Sequence, residues 1–571
     1  MLSIPESPQL GPNLKDAHPA MSEREAVLEA EACLQCGGPC VAAPCVGACP
    51  AGIDIPGFIH DIACGKPVDA AAKIFADNIL GGTCARVCPV EVLCEGSCVL
   101  VKEGRHAIQI GRLQRHATDH AFDVSASTLR PRAAARAESI GVIGAGPAGL
   151  ACAAELALRG FSVTVYEKRE FPGGLVTRGI APYKQQYKPL PAELEQIRKL
   201  GVEVRFGVAV GKDITLEQLR AEHDALFIGV GMGDDMPARI PGENLAGIWE
   251  SLQFIEELKL GAAGKLHVGR RVAVIGGGNT AIDVAREAVM LWVSEITAGN
   301  TAIDVARQAV MLGASDVMML YRRSEAEMPA FAHEIRAAKR EGVHIVPLVA
   351  PVAFLGTNRV TGVRCVRMQL GAPDASGRPR PEPIPGSEFD IEVDTVIKAI
   401  GQKPHSELMA HLCVDMKGSL VRVDDDMRTS AADIYAGGDC INGGSTVVQA
   451  VADGRKAALA IDRRFTGAAR PATTARMPAR VEEDGGTLRH FQADFRLTTA
   501  PRLCKGCNIC VTGCPTETLK LDATNHIEVK DANTCVFCGL CEARCPDFAI
   551  WIVKGKSERA RVSARESEPV A

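Results

Sequence analysis

The segment Ile140-Gly-Val-Ile-Gly144-Ala-Gly146-Pro147-Ala148-Gly149 sets a short apolar run directly before a G-x-G-x-x-G turn and an Ala-rich stretch. This pattern predicts a strand, a tight turn and a helix. Glu167 follows Gly144 by 23 residues and ends a second apolar run, where a ribose hydroxyl needs an acceptor. Glycines at such a turn let the backbone approach a pyrophosphate, which the free amides and the dipole of the helix favour. The segment therefore predicts a dinucleotide-binding α/β domain, and Gly174 is assigned to the same site.

A second turn of this kind, Val272-Ala-Val-Ile-Gly276-Gly-Gly278-Asn279-Thr280-Ala281, also follows an apolar run. Its ribose position carries no acid, and the next predicted strand ends in Arg322 and Arg323 instead. Two guanidiniums suit the 2′-phosphate of NADP better than a bare ribose diol, so the sequence favours NADP over NAD. The alternative is a solvated charged pair at a strand end.

The second turn opens a tandem duplication. From Gly276 to Arg322 is 46 residues, where about 20 are expected in this fold. Residues 278–291 recur with one change as residues 299–312, an offset of 21, and subtracting that offset leaves 25. Only the first copy follows the strand, so we expect it to hold the pyrophosphate and the second copy to lie away from the nucleotide.

Two cysteine runs late in the chain share the spacing C-x2-C-x2-C-x3-C-P. In this pattern three thiolates bind one 4Fe-4S cube and the fourth crosses to the other cube. The alternative, a pair of zinc sites, does not require two identical runs that each end in proline. We therefore predict a bacterial-type two-cluster ferredoxin domain, with one ligand set of Cys504, Cys507, Cys510 and Cys545 and another of Cys535, Cys538, Cys541 and Cys514.

Ten further cysteines lie between residues 33 and 98, and Ser22 with Glu25 forms a capping-box pattern before them. This density predicts a small helical domain held by metal. The 22 cysteines of the 571-residue chain are thus interpreted as cofactor ligands rather than disulfides, which favours a reducing, cytoplasmic location. The net charge of −5 and the lack of a long apolar run indicate neither nucleic acid nor membrane binding.

The stretch Gly437-Gly438-Asp439 resembles the glutathione-reductase-like flavoproteins, in which such a carboxylate lies near the ribityl chain and phosphate of the flavin. The resemblance assigns FAD to the first turn. The expected fold class is α/β multidomain, with two nested Rossmann-like domains, an N-terminal α-helical iron–sulfur domain and a C-terminal α+β ferredoxin domain. The expected order is an iron–sulfur domain at 1–135, an FAD domain at 136–250 and 385–465 around an NADP domain at 251–384, a linker at 466–497, a ferredoxin domain at 498–553 and a charged tail at 554–571.

Residues from about 30 to 465 resemble the glutamate synthase small subunits and the electron-input half of dihydropyrimidine dehydrogenase. The motifs that carry the resemblance are Cys33-Leu-Gln-Cys36, Cys45-Val-Gly-Ala-Cys49-Pro, Gly82-Thr-Cys84-Ala-Arg-Val-Cys88-Pro, Cys94-Glu-Gly-Ser-Cys98, Ile110-Gly-Arg-Leu-Gln114 and Tyr321-Arg-Arg-Ser-Glu-Ala-Glu-Met-Pro-Ala330. It implies two N-terminal 4Fe-4S clusters, one on Cys33, Cys36, Cys45 and Cys98 and one on Cys49, Cys88, Cys94 and Gln114. Cys40 lies within four extra residues before Cys45, so either thiol remains a candidate ligand. Free buried thiols are expected at Cys64 and at one among Cys40, Cys45 and Cys84.

Together these parts predict an FAD-dependent NADP(H):ferredoxin-type oxidoreductase that divides a nicotinamide hydride into single electrons through four 4Fe-4S clusters. No catalytic side chain is assigned, because the protein contributes the placement of its cofactors. The stretch from Cys538 to Ile550 resembles the ferredoxin-like subunit of 2-oxoacid:ferredoxin oxidoreductases. The implied partner is ferredoxin or a thiamine-dependent 2-oxoacid oxidoreductase complex, reached by a tethered module. The alternatives are a glutamate synthase small subunit and the input subunit of a pyrimidine reductase.

Overall fold

The computed structural model describes residues 18–38, 41–126, 128–185, 189–260, 268–296, 316–374, 377–468, 480–484, 487–492 and 495–554. Contacts divide the chain into two compact units. One unit contains residues 132–460, and the other combines residues 20–131 with those from 461 onward. Cys40 and the second copy of the duplication, residues 299–312, lie outside the described residues.

The cysteine-rich N-terminal segment is helical. Its α-helices are α1 (Glu23–Glu31), α2 (Pro44–Ala48), α3 (Ile55–Ala63), α4 (Pro67–Asp77), α5 (Gly81–Val87), α6 (Val99–Lys102) and α7 (Ile110–Asp123). The predicted capping box at α1 is confirmed, because the Ser22 hydroxyl accepts from the Glu25 amide and the Glu25 carboxylate accepts from the Ser22 amide. Phe58 on α3 and Leu113 on α7 are fully buried, so this small segment has an apolar core.

The first glycine turn lies at the end of a parallel strand. The elements of this segment are β1 (Ser139–Ile143), α8 (Pro147–Leu158), β2 (Ser162–Glu167), α9 (Leu175–Arg178), α10 (Leu190–Lys199), β3 (Glu203–Phe206), α11 (Leu216–Glu222) and β4 (Ala225–Ile228). β1 pairs in parallel with both β2 and β4, and β2 pairs with β3. The middle residues of β1 and β4 are buried, as expected of parallel strands covered on both faces.

A second parallel sheet carries the second turn. Its part of the chain contains β5 (Ile248–Glu250), α12 (Ser251–Leu260), β6 (Arg271–Ile275), α13 (Asn279–Ile296), β7 (Asp316–Tyr321), α14 (Ala332–Arg340), β8 (Val343–Pro347), β9 (Val349–Leu355), β10 (Gly362–Pro373), β11 (Pro379–Pro383), β12 (Phe389–Glu392) and β13 (Thr395–Lys398). The strand order is β5-β13-β6-β7-β8, with all neighbours parallel. β9 to β12 form a separate antiparallel sheet in which β10 is the central strand.

The chain then returns to the first sheet. The next elements are α15 (Ser406–His411), β14 (Met416–Lys417), β15 (Leu420–Val421), β16 (Ile434–Ala436), α16 (Asp439–Asn442) and α17 (Val447–Thr466). β16 pairs with β4, so the first sheet has the order β16-β4-β1-β2-β3, and the predicted nesting of two Rossmann-like domains is confirmed. The predicted boundaries after residues 250 and 384 are wrong, because β5 and β13 both pair into the second sheet.

The C-terminal segment combines two small antiparallel sheets with two short helices. Its elements are β17 (Arg480–Asp484), β18 (Thr487–Gln492), β19 (Phe495–Thr499), α18 (Ile509–Thr512), β20 (Leu519–Leu521), β21 (Ile527–Val529), α19 (Leu540–Arg544) and β22 (Ile550–Val553). One sheet has the order β17-β18-β19-β22, and the other is the β20-β21 hairpin. The prediction of a linker over 466–497 is wrong in its second half, since β17 pairs with β18 there and β18 pairs with β19. Across the described ranges, no helix combines the length and the apolar character needed to cross a bilayer.

Candidate functional site

A cavity of about 630 Å³ opens at the C-terminal ends of β1, β2, β4 and β16. Open parallel sheets bind their ligands at this edge, and the volume lies in the usual range for small-molecule sites. Eight residues predicted to bind a dinucleotide line it: Gly144, Gly146, Pro147, Ala148, Glu167, Gly174, Gly438 and Asp439. The structure therefore brings together residues that are up to 295 positions apart, from Gly144 to Asp439.

The turn after β1 requires glycine at two positions. Gly144 has a φ of +99°, and a Cβ there would lie 2.7 Å from the Gly229 carbonyl oxygen. Gly149 lets α8 pack against β1, since its Cβ would lie 1.9 Å from the Gly144 carbonyl oxygen. The first turn of α8, at Pro147 and Ala148, lines the cavity, and the amides of a first helical turn have no partner within the helix. This cradle fits a pyrophosphate.

Glu167 is held in place at the edge of the cavity. Its Oε2 accepts a hydrogen bond from the Ala145 amide at 2.8 Å, and its Oε1 accepts one from the Arg169 amide at 2.9 Å. The side chain is only 8% exposed, yet it lines the cavity. Each carboxylate oxygen keeps a further lone pair that can accept from a ribose hydroxyl. The geometry fits the predicted role.

Asp439 begins α16 directly after the buried strand β16. Its Oδ1 accepts from the Ser445 amide at 3.1 Å, and burial raises the pKa of its carboxyl. Gly438, with a φ of +78°, donates its amide to the Asp453 carboxylate at 3.0 Å. A carboxylate that is partly removed from water is stabilised by hydroxyl groups that donate hydrogen bonds to it, and a ribityl chain supplies such groups. The cavity, the glycine turn and this carboxylate together fit FAD.

The second turn lies between β6 and α13, so the first copy of the duplication follows the strand. A Cβ at Gly276 would lie 2.3 Å from the Ala399 carbonyl oxygen, which shows how closely the turn approaches the end of β13. The Asn279 side chain accepts from the Phe331 amide at 3.0 Å, and Ala281 is fully buried. The turn is thus held from two sides while the start of α13 remains available to a phosphate.

The two arginines after β7 have different environments. Arg322 is exposed, whereas Arg323 is only 8% exposed. The Arg323 guanidinium donates to the Asp374 carboxylate at 3.1 Å and to the Pro379 carbonyl oxygen at 2.9 Å. The prediction of a pair of guanidiniums on one 2′-phosphate is therefore corrected, because a partly buried ion pair already holds Arg323. Arg322 remains the candidate for the phosphate.

A buried charged network, which the sequence pattern did not reveal, joins the loop after α9 to α13. Lys184 Nζ lies 2.7 Å from the Asp283 carboxylate and 2.8 Å from the Glu334 carboxylate. The Tyr183 hydroxyl donates to Asp283 at 2.8 Å, and Arg286 donates to that hydroxyl at 2.9 Å. Buried charges that are paired in this way fix the elements that carry them. In the sequence, the only local sign of this network is the pair Asp283 and Arg286, two charged residues three positions apart on a largely apolar helix.

Four N-terminal thiols line one cavity, and they are the predicted set of Cys33, Cys36, Cys45 and Cys98. The rest of the lining is aliphatic side chains and prolines. Burial raises the pKa of Cys45 to about 12, and the neighbouring Cys33 and Cys98 thiolates add to the rise. Thiols in such surroundings ionise when a metal supplies the opposing charge. The set fits a 4Fe-4S cube, and Cys45 completes it among the described thiols.

The second N-terminal set contains Cys49, Cys88 and Cys94. A hydrogen bond with Cys84 and burial raise the pKa of Cys88, and the Cys84, Cys94 and Cys49 charges raise it further. Burial also raises the pKa of Cys94, with a contribution from Cys49. The three predicted thiols therefore lie together, and Cys84 lies with them. The expectation that Cys64 is buried is wrong, because its side chain is exposed at the end of α3.

The fourth position of this set has two candidates. Gln114 is 7% exposed, and its Nε2 donates to the Gly81 carbonyl oxygen at 2.7 Å. Its Oε1 has no hydrogen-bond partner among the described residues, so this atom can face a metal. Cys84, which is buried, offers a thiol in the same place. Gln114 stays the predicted ligand, with Cys84 as the alternative that the structure adds.

The last cysteine of each C-terminal run lies with the first three thiols of the other run. Burial raises the pKa of Cys510 to about 11, and the Cys545, Cys504 and Cys507 charges add to the rise. The other cavity is lined by the remaining four thiols, Cys514, Cys535, Cys538 and Cys541. Each set thus combines three thiols of one run with the last thiol of the other, the arrangement that two 4Fe-4S cubes require.

The N-terminal and C-terminal iron–sulfur segments are in direct contact within one unit. The Gly37 amide donates to the Val536 carbonyl oxygen at 2.7 Å. Lys554 Nζ donates to the carbonyl oxygens of Leu34 at 3.2 Å and of Gln35 at 2.9 Å. These contacts join loops that carry predicted cluster ligands.

Two further contacts lie outside these loops. Lys102 donates to the Pro515 carbonyl oxygen, and Arg544 forms an ion pair with Glu103. The C-terminal module, predicted to be tethered by a linker, therefore also contacts the N-terminal iron–sulfur segment directly. The composition of residues 466–497 does not reveal such contacts between distant parts of the chain.

Comparison with known proteins agrees with this architecture. Residues 138–454, more than half of the chain, match the pyridine nucleotide-disulphide oxidoreductase family. The chain belongs to this family. Residues 11–126 match the 4Fe-4S cluster domain II of dihydropyrimidine dehydrogenase, and residues 496–565 match a 4Fe-4S dicluster domain. This member of the pyridine nucleotide-disulphide oxidoreductase family thus carries iron–sulfur domains on both sides of its flavin- and nicotinamide-binding core.

Three curated relatives within the family illustrate its range. The chain is 34% identical to the glutamate synthase [NADPH] small chain of Escherichia coli K12, over 76% of this chain and 91% of the relative. It is 35% identical to the NADP(+)-dependent formate dehydrogenase subunit beta of Moorella thermoacetica, over 78% and 63% respectively. It is 36% identical to the NADPH-Fe(3+) oxidoreductase subunit beta of Geobacter sulfurreducens, over 74% and 63%. The chain therefore spans less than two thirds of the latter two, and the predicted resemblance to glutamate synthase small subunits is confirmed.

Proposed function

We propose that this chain is an NADP(H)-linked, FAD-dependent electron-transfer subunit with four 4Fe-4S clusters. The observation that carries the proposal is the arrangement of the four ligand sets in series. The charge of Cys45 in one N-terminal set raises the pKa of Cys94 in the other, and the charge of Cys538 in the C-terminal segment raises the pKa of Cys36. Cys514 links the two C-terminal sets, because it follows Cys510 in sequence and lines the cavity of the other set.

The residues of the chain bind and orient the cofactors. When bound, FAD exchanges two electrons with a nicotinamide and single electrons with a 4Fe-4S cube, which takes one at a time. The amides of the turn after β1 hold the pyrophosphate, Glu167 accepts from the ribose, and Asp439 accepts from the ribityl chain. No side chain is assigned a proton, because the protein contributes positions and potentials.

The surface that meets the partner is proposed to surround the ligand set of Cys504, Cys507, Cys510 and Cys545. Cys507 is exposed, and Leu503, Ile509 and Phe548 flank ligands of this set with exposures of 47%, 43% and 79%. Apolar side chains beside an exposed redox site suit a small, transient contact between proteins. The partner we propose is a ferredoxin-type iron–sulfur protein, either free or as a subunit of a thiamine-dependent 2-oxoacid oxidoreductase.

The test compares two exposed apolar residues of the same chain. Phe548→Ser should raise the ferredoxin concentration for half-maximal anaerobic NADPH oxidation roughly tenfold, since anchors of this kind contribute about 1–2 kcal/mol. Reduction of methyl viologen, which is too small to need the patch, should be unchanged. Val124→Ser, at a residue that is 54% exposed on the N-terminal segment, is the matched control. If Phe548→Ser and the wild type had the same ferredoxin kinetics, this would contradict the proposal that electrons pass to the partner at this surface.

A second candidate is the NADPH-input subunit of a glutamate synthase. The coverage of 91% of the Escherichia coli small chain favours it. The two candidates differ in the acceptor: a glutamate synthase large subunit, or a ferredoxin-type protein. Mixing the purified chain with a glutamate synthase large subunit, glutamine and 2-oxoglutarate should give no NADPH-dependent glutamate if the first proposal is right. Glutamate formation at the rate of an authentic pair would favour the second.

A further inference from the structure

The contact between the two iron–sulfur segments is made by ligand-bearing loops. Gly37 directly follows Cys36, and its amide donates to the carbonyl oxygen of Val536, which lies between Cys535 and Cys538. Gly37 has a φ of +113°, a backbone conformation that glycine adopts freely. The hydrogen bond of 2.7 Å thus ties a loop of one ligand set directly to a loop of another. Neither loop can shift alone without breaking it.

Lys554 reinforces this contact from the C-terminal side. It follows β22, and its Nζ donates to two successive carbonyl oxygens, those of Leu34 and Gln35, between the ligands Cys33 and Cys36. A lysine has three donors, so one further donor remains after these two bonds. The cation is therefore placed at the junction of the two loops, and Lys554 lies 519 positions from Gln35 in sequence.

The charge of Lys554 lies at the junction of both sets. Its ammonium binds carbonyl oxygens between Cys33 and Cys36, and the Gly37–Val536 hydrogen bond brings the loop between Cys535 and Cys538 to the same junction. One cation is thus shared by two ligand-bearing loops.

We propose that Lys554 is a positioning residue for electron exchange between the cluster of Cys33, Cys36, Cys45 and Cys98 and the cluster of Cys535, Cys538, Cys541 and Cys514. It holds the two ligand loops together, and its charge would favour the reduced form of a cube bound at either set. The cubes would supply one-electron exchange, in which the electron lost by one is gained by the other with no bond made or broken and no proton moved. This inference rests on the proposed function, in that both sets must hold 4Fe-4S cubes.

The expected effect on the potentials follows from charge alone. Reduction adds one negative charge to a cube, so a nearby cation favours the reduced form, and removing it disfavours that form. Lys554→Gln should lower the ratio of reduced to oxidised cube at a fixed potential by about tenfold in two of the four clusters, which is about 59 mV for a one-electron couple. Lys554→Arg keeps the charge and should restore the ratio.

The experiment uses the full chain, loaded with iron and FAD under anaerobic conditions. A redox titration followed by low-temperature EPR gives the potentials, and the line broadening between paramagnetic cubes in the fully reduced protein reports how closely they are held. Lys520→Gln is the matched control, since Lys520 carries the same charge on β20 and pairs with Glu528 at 3.0 Å. We expect two lowered potentials and weaker broadening in Lys554→Gln, and neither change in Lys520→Gln or Lys554→Arg.

The outcomes separate this inference from the proposed function. Unchanged potentials and broadening in a fully loaded Lys554→Gln protein would overturn the role of Lys554 and leave the proposed function intact. If the wild-type chain holds no cube at these two sets, the proposed function fails first. Should Lys554→Gln lose iron, Lys554→Met keeps most of the side-chain length without the charge and is titrated in its place. Hydrogen exchange at residues 34–38, which should quicken in either variant, gives a measurement independent of the clusters.

Discussion

We propose that Arg322 is the residue on which the choice of nucleotide depends. It lies exposed at the end of β7, while the neighbouring Arg323 is held by Asp374 at 3.1 Å. A 2′-phosphate would gain a charge-assisted hydrogen bond from the exposed guanidinium that NADH cannot use. The buried arginine, by contrast, keeps the strand end attached to the β10-β11 hairpin. Of the two adjacent arginines, Arg322 is therefore proposed to bind the nucleotide, whereas Arg323 stabilises the fold.

Arg322→Gln should raise the KM for NADPH roughly tenfold and leave the KM for NADH unchanged, because one charge-assisted bond to the 2′-phosphate contributes about 1.5–3 kcal/mol at most. Steady-state reduction of methyl viologen with each nucleotide measures this. Arg340→Gln, at an exposed arginine that ends α14, is the control. Arg323→Gln should instead lower the melting temperature, since it removes the partly buried ion pair with Asp374. Equal losses for both nucleotides in Arg322→Gln would contradict the assignment.

Glu287 makes the stability of the nucleotide-binding unit depend on pH. It is fully buried on α13, its Oε1 accepts from the Tyr183 amide at 3.2 Å, and burial raises its pKa to about 7. A raised pKa in the folded state means that the group favours folding below its unfolded value of about 4.5 and loses that contribution as the pH rises through about 7. The buried Lys259, whose pKa burial lowers to about 7, faces the same region.

Glu287→Gln should therefore remove the loss of stability between pH 4.5 and pH 7. In the FAD-loaded chain, the melting temperature of the wild type should fall across this window, while that of the variant should stay level, since the buried Lys259, whose pKa is lowered from 10.5 to about 7, changes stability only above this window. Glu388→Gln, at an exposed glutamate, should behave like the wild type. If the melting temperature of Glu287→Gln fell with pH as that of the wild type does, another titrating group would dominate the pH dependence of stability.

At the scale of elements, helix α13 explains why the duplication is tolerated. The first copy supplies Asp283 and Arg286 to the buried network and the turn that follows β6. Its one difference from the second copy lies in this region, because Gln308 corresponds to Glu287. Either copy has the residues to begin the helix after β6, so the insertion does not remove anything that the nucleotide site requires.

Two deletions of equal length test this. Removing residues 278–298 leaves the second copy behind β6, and removing residues 292–312 leaves the first, so the products differ only at the position of Glu287 or Gln308. Both should bind NADPH with an affinity within about threefold of the wild type and keep FAD, because each restores the usual spacing of the fold. Equilibrium titration of flavin fluorescence with NADPH measures it. Loss of nucleotide binding in both, with FAD retained, would give the inserted residues a role of their own.

At the scale of the whole molecule, local patterns were predictable and distant contacts were not. The glycine turns and the cysteine runs have fixed short spacings, so their residues assemble in the structure as the sequence indicates. The pairing of β13 with β6 depends on residues more than 100 positions apart, and an apolar four-residue strand fits either sheet. The same holds for Lys554, because nothing near it in sequence reveals that it contacts Leu34 and Gln35.

The contacts across the chain change what a truncation should do. Deleting residues from Leu503 onward removes eight predicted ligands and also Val536 and Lys554, which hold the loop around Cys36. All residues that line the FAD cavity lie between 143 and 450, so the flavin should stay. Anaerobic metal and flavin analysis should give about 16 iron and one FAD for the full chain, and clearly fewer than about 8 iron with one FAD for the truncated chain. Replacing Cys504, Cys507 and Cys510 by Ser keeps that contact and should leave about 12 iron. A truncated chain that keeps a full 8 iron would show that the N-terminal clusters are stable without the C-terminal domain.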